Sequence, residues 1–115
     1  METREESIEK LIRKIRRAGD TTKTYAYNLE IRDRHGRQLD LLVGNSREFA
    51  GTDEEVAKTL DNLESKLRAS LKDNANAYSV AGNVGVMQPL KKRVQLNEVI
   101  PVEAEDDDLP LPPPL

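Results

Sequence analysis

A chain of 115 residues with 37% hydrophobic residues, four aromatic rings, no Trp and a net charge of -3 suits one domain whose core is Leu, Ile and Val. With no Cys, disulfides, thiolate metal sites and cysteine nucleophiles are excluded, and a reducing, cytoplasmic setting is the expectation. No apolar run approaches the roughly 20 residues of a membrane span, and Glu2, Glu5, Glu6 and Glu9 stand where a secretion signal needs a basic start and an apolar stretch.

From Arg4 to Ala18, Ile8, Leu11, Ile12 and Ile15 recur at helical spacing and predict an amphipathic helix. Its acids cluster at the start and Arg13, Lys14, Arg16 and Arg17 at the end, as the helix dipole prefers, and Gly19 supplies a stop. From Thr24 the period becomes two. Tyr25, Tyr27, Leu29 and Ile31 share one face of a half-buried strand, and Leu39, Leu41 and Val43 alternate on its return. Between them, Asp33-Arg34-His35-Gly36 suits a type I turn with Gly36 left-handed, so a β-hairpin is predicted.

Thr52 followed by Glu55 makes a capping box. Val56, Leu60, Leu63, Leu67 and Leu71 then keep three-and-four spacing to about Asp73, predicting a second, longer helix. Its stripe is narrow, so helix 52–73 either packs on the sheet or pairs with a second copy in a homodimer. Tyr78, Val80, Val84 and Val86 alternate in a strand that Gly82, Asn83 and Gly85 interrupt, which reads as bent or bulged. A last strand from about Arg93 to Ile100 gives the order α-β-β-α-β-β. The fold expected is α+β, with two helices on one face of a four-stranded, mainly antiparallel sheet. It comprises a single domain over 1–102 and a disordered acidic-proline tail over 103–115, where five acids and four of the six prolines gather.

Catalytic chemistry finds little support. The single histidine, His35, falls in the hairpin turn, and Asp53, Glu54 and Glu55 sit where a helix start favours negative charge. Gly19-Asp20-Thr21-Thr22-Lys23-Thr24 lacks phosphate-loop spacing and follows a helix, where that motif follows a strand. Neither a cofactor nor a metal site is expected, and the chain reads as a non-enzyme.

Binding remains. Residues 10 to 37 hold nine basic side chains against three acids. Lys14, Arg16, Arg17, Lys23, Arg32, Arg34 and Arg37, with Lys91, Lys92 and Arg93, are the candidate nucleic-acid contacts, provided that both hairpin ends and the end of the first helix meet on one side. In the tail, Asp106-Asp107-Asp108-Leu109-Pro110 resembles, over about five residues, the acidic C-terminal tip of bacterial single-stranded-DNA-binding proteins. The terminal aromatic of that family is replaced by Pro112-Pro113-Pro114-Leu115, and the body has no five-stranded barrel pattern. The resemblance implies docking of a protein partner through Asp106, Asp107, Asp108, Leu109, Pro110, Leu111 and Leu115, and a polyproline II segment with leucine anchors serves the same purpose. We therefore read a non-catalytic protein-interaction module, a small accessory or inhibitory factor that docks through its tail. The alternative is a nucleic-acid-associated protein whose basic patch is regulated by the acidic tail.

Overall fold

The computed structural model describes residues 2–19, 25–46, 52–86 and 94–102. Six elements follow in the expected order: α1 (Arg4–Gly19), β1 (Tyr25–Asp33), β2 (Gln38–Asn45), α2 (Asp53–Asp73), β3 (Ala77–Val86) and β4 (Val94–Val99). The strands form one antiparallel sheet in the order β2-β1-β3-β4.

Each helix start is fixed by a threonine. At α1 the box is reciprocal: the Glu6 N–H donates to Thr3 Oγ1 (3.1 Å) and the Thr3 N–H to Glu6 Oε1 (2.8 Å), so two backbone donors that lack helical partners are satisfied. At α2, Thr52 is extended and its hydroxyl accepts from the Glu55 N–H at 3.1 Å. Thr52→Ala is expected to cost about 1 kcal/mol in urea denaturation, the usual worth of such a cap.

The helices lie antiparallel on one face of the sheet. Ile8, Leu11, Ile12 and Ile15 of α1 and Val56, Leu60, Leu63, Leu67 and Leu71 of α2 are all buried, against Tyr25, Tyr27, Leu29 and Ile31 of β1, Leu42, Val80, Val84 and Leu96. Leu63 and Leu67 are 0% exposed. Of the two uses its narrowness allowed, packing on the sheet or pairing with a second copy through helix 52–73, the α2 stripe takes the first within one chain. The Tyr25 hydroxyl donates to the Ile15 carbonyl at 3.1 Å, and burial pushes its pKa far above the ordinary tyrosine value.

An ion-pair network sews the helices together along their exposed seam. Arg68 contacts Glu5 (3.2 Å), Glu9 (2.8 Å) and Glu64 (3.2 Å), while Arg16 contacts Asp61 (2.9 Å) and Glu64. Hydrogen bonds from Arg68 hold the Glu9 carboxyl below the usual carboxylate range, and those from Arg16 and then Arg68 do so for Glu64. A carboxyl whose folded pKa is depressed stabilises the fold above its unfolded value, and that contribution disappears as pH falls through the folded value. Acidification below about pH 4.3 is therefore expected to lower the urea midpoint, and the double variant Glu9→Gln/Glu64→Gln should flatten that decline.

The β1–β2 turn is closed by Asp33. Its backbone carbonyl accepts from the Gly36 N–H (3.0 Å), and its carboxylate accepts from the N–H groups of His35 (2.8 Å) and Arg37 (2.9 Å), which keeps its pKa below the ordinary value. Gly36 is left-handed, with φ 83°. The irregularity expected in β3 is displaced from its glycines. Gly82 pairs in unbroken register with Leu29 on one side and Leu96 on the other, and the extra residue of β3 is Tyr78, passed over between the Arg32–Ser79 and Asp33–Ala77 pairs, as Leu39 of β2 is between the Ile31–Asp40 and Arg32–Gln38 pairs. What distinguishes Gly82 and Gly85 is backbone conformation, with φ 145° and 129°.

Candidate interaction surface

Because side chains alternate across a strand, the residues between the buried ones point away from the helices. Register places them in rows. Val43, Asn28, Asn83 and Gln95 form one row across the four strands; Leu41, Glu30, Ala81 and Asn97 form the next; Arg32, Ser79 and Val99 form a third. No described element covers this face. At its middle is a shallow concavity of about 420 Å³ lined by Asn28, Glu30, Arg32, Asn83, Gln95 and Asn97, together with Ala81, Gly82 and Leu96. At its margins stand the large apolar side chains that the fold leaves exposed among the described residues: Leu41 (47%) and Val43 (55%) on edge strand β2, and Val99 (54%) on edge strand β4.

An antiparallel sheet commonly presents one face to water, and its outward side chains are then polar. Here the centre follows that rule and the edges break it. Four carboxamides, each able both to donate and to accept, surround the Glu30–Arg32 ion pair. Such a surface can match the N–H and C=O groups of an extended peptide while the flanking Leu and Val side chains take apolar anchors. Among the described residues it offers no free ring for stacking a base. Tyr25 and Tyr27 are buried beneath the helices and Tyr78 lies under the Arg34 guanidinium, 5.3 Å from the ring centre.

Among the described residues, the candidate phosphate contacts do not gather into one group. Tyr25 at the start of β1 pairs with Val86, and Asp33 at its end pairs with Ala77. The β1–β2 turn therefore lies at one end of the sheet, and the β3–β4 strand ends at the other, roughly 27 Å away for nine residues of extended chain. Arg32, Arg34 and Arg37 belong to the first end. The C-terminal part of α1 lies away from it, since Arg4 at the opposite end of that helix reaches the Ala77 carbonyl. Lys14 pairs with Glu98 (3.0 Å), Arg16 with Asp61 and Glu64, Arg32 with Glu30, and Arg37 with Asp33 (3.4 Å), while Arg17 is exposed in the last turn of α1. Lys23, Lys91, Lys92 and Arg93 lie outside the described residues, as does the whole predicted docking tail, Asp106 to Leu115.

Two features escaped the sequence. The first is the exposed apolar margin of the bare face, Leu41, Val43 and Val99, which required strand order and register. The second is Arg4, whose guanidinium donates to four backbone carbonyls: Ala77 (2.8 Å), Leu71 (3.0 Å), Pro101 (3.1 Å) and Asn74 (3.3 Å). It binds the end of α2, the start of β3 and the chain just past β4 to the first turn of α1. His35 is exposed in its turn, and among the described residues no group of three or more His, Asp or Glu side chains is arranged to hold a metal ion. No described helix is long and apolar enough to cross a membrane. Comparison with protein-family models, with curated proteins and with solved structures found no match to this chain.

Proposed function

We propose that the protein is a non-catalytic protein-interaction module, a small accessory or inhibitory factor, with two docking elements: the bare sheet face and the C-terminal segment 103–115. The observation that carries this reading is the exposure of Leu41, Val43 and Val99 around a carboxamide-lined concavity, on the sheet face that no described helix covers. Apolar side chains at the margin of a hydrogen-bonding surface supply the anchors, and the carboxamides supply register. The tail adds acids followed by leucines set among prolines, a composition suited to binding in extended form.

The double variant Leu41→Lys/Val43→Lys tests it. Both side chains are about half exposed, so the fold should be kept to within about 1 kcal/mol. A protein recovered from source-cell extract by the full chain is expected to be lost with this variant, and equal recovery by both forms would contradict the reading. The nucleic-acid alternative draws on Arg32, Arg34 and Arg37 at one end of the sheet, and a low-salt titration decides it. Binding that weakens steeply with added salt supports that alternative, and no retention of DNA or RNA eliminates it.

A further inference from the structure

The last described residues, Pro101 and Val102, are half-buried, and the Pro101 carbonyl is held by Arg4 at 3.1 Å. The chain therefore passes into segment 103–115 from a fixed point at the end of the sheet that carries the β1–β2 turn, because Ala77, bound by the same guanidinium, pairs with Asp33. The two sides of the molecule differ sharply there. On the helix side, a surface depression of about 550 Å³ is lined by Glu2, Glu5, Glu6 and Glu9 against Lys10 and Arg13. The β1–β2 turn at this end carries Arg34 and Arg37, with Arg32 beside it on the bare face, against Glu30 and Asp33; Arg32 is paired with Glu30 and Arg37 with Asp33. For a segment that begins with Glu103, Glu105, Asp106, Asp107 and Asp108, four acids against two cations on the helix side are a less favourable neighbourhood than three cations against two acids around the turn.

Length and order agree with this direction. Val99, Arg32 and the turn lie at the near end of the bare face. Leu41 and Val43 lie across it on the far edge strand, about 14 Å away sideways at the usual strand spacing and about 7 Å and 14 Å, respectively, along the strands. The six residues from Glu103 to Asp108 extend by roughly 19 Å, which brings Leu109 and Leu111 to the neighbourhood of Leu41 and Val43 after the acids have passed the arginines. The prolines suit a surface ligand that makes few backbone hydrogen bonds.

We propose that the bare sheet face is a docking surface for an extended peptide, acidic at its start and leucine-bearing beyond, and that its resident occupant is this chain's own segment 103–115. The segment sets its acids against Arg32 and Arg34 and its leucines on Leu41 and Val43, so a partner gains the face only by displacing it. This rests on the reading of the bare face as a binding surface.

The absence of Cys allows a single nitroxide label, introduced through Pro113→Cys in the full chain. In dilute, ¹⁵N-labelled protein, the amide signals of Leu41 and Val43 should lose their intensity, while those of the outer face of α2 near Lys58 keep theirs. The same label in a Leu109→Ser/Leu111→Ser chain should leave Leu41 and Val43 no more broadened than Lys58. Equal broadening with and without the two leucines would overturn the proposal. Broadening transferred to an unlabelled copy on mixing would overturn it too, because it would seat a second molecule's tail on the face. This experiment contains no partner. An empty face in the isolated chain that still loses its partner on Leu41→Lys/Val43→Lys would sink the tail proposal and leave the interaction reading standing.

Discussion

Gly82→Ala is expected to destabilise the domain by about 4 kcal/mol and to lower its melting temperature by roughly 20 °C, combining a backbone penalty with overpacking. Gly82 has φ 145°, a conformation that side-chain-bearing residues rarely adopt. Space is lacking as well: a Cβ there would lie 1.9 Å from the Asn28 carbonyl oxygen and 3.0 Å from Leu29 Cα. Both atoms belong to β1, the central strand that pairs with β2 and β3, so no flexible side-chain tip is available to move aside. Gly36→Ala provides the contrast. Its φ is 83°, but nothing stands within 4 Å of the added methyl group, so only the conformational penalty applies and the loss should be about 1 kcal/mol. Thermal melts of the two variants side by side separate strain from collision, and equal losses would show that close approach of β1 and β3 is not what Gly82 provides.

Arg4→Ala is expected to cost about 3 kcal/mol. Hydrogen bonds to a charged group are worth more than neutral ones, and here one guanidinium serves four carbonyls from the end of α2, its turn, the start of β3 and the chain after β4. Arg4→Lys should recover only part of the loss, because a single ammonium cannot reproduce the planar fork that spans these acceptors. Amide exchange gives a second readout. The Ile100 N–H, which donates to the Tyr78 carbonyl at 2.7 Å, should lose protection in Arg4→Ala more than the amides of β1 do. A uniform loss across the sheet would mean that Arg4 contributes to global stability without fastening the end of β4.

The features legible in the sequence were those written in one contiguous stretch. The Ile8-Leu11-Ile12-Ile15 stripe, the Tyr25-to-Ile31 alternation, the Asp33-to-Gly36 turn and the Thr52 cap each declare themselves within a dozen residues, and each is present in the fold. The capping box at Thr3 and Glu6 was written in the same code, a threonine three residues before a glutamate, though the acid cluster around it drew attention to the helix dipole instead. Gly82 signalled irregularity but not its kind. A glycine kept for close approach of a neighbouring strand and one kept for a bulge look alike until pairing is known.

Long-range features were not legible. Arg4 reads as an ordinary surface charge at a helix start, since its four acceptors lie 67 to 97 residues away in the chain. The basic residues looked like one window because they are close in sequence, yet β1 carries the chain the length of the sheet between Arg17 and Arg34, and the carboxylates of α2 and β4 take up Arg16 and Lys14. The exposed trio Leu41, Val43 and Val99 could not be separated from core residues by hydropathy alone. Leu41 and Leu42 are neighbours of one type, and only the strand's orientation buries the second and bares the first.

The central claim, that the uncovered sheet face binds a protein, is tested most directly by placing a photo-crosslinking side chain at Val43 of the full chain and, separately, at Lys58 on the exposed outer side of α2. Irradiation in source-cell extract should yield a discrete crosslinked protein from position 43 and none from position 58. Crosslinks from position 58 alone, or the same products from both positions, would contradict the account and move the binding surface away from the sheet.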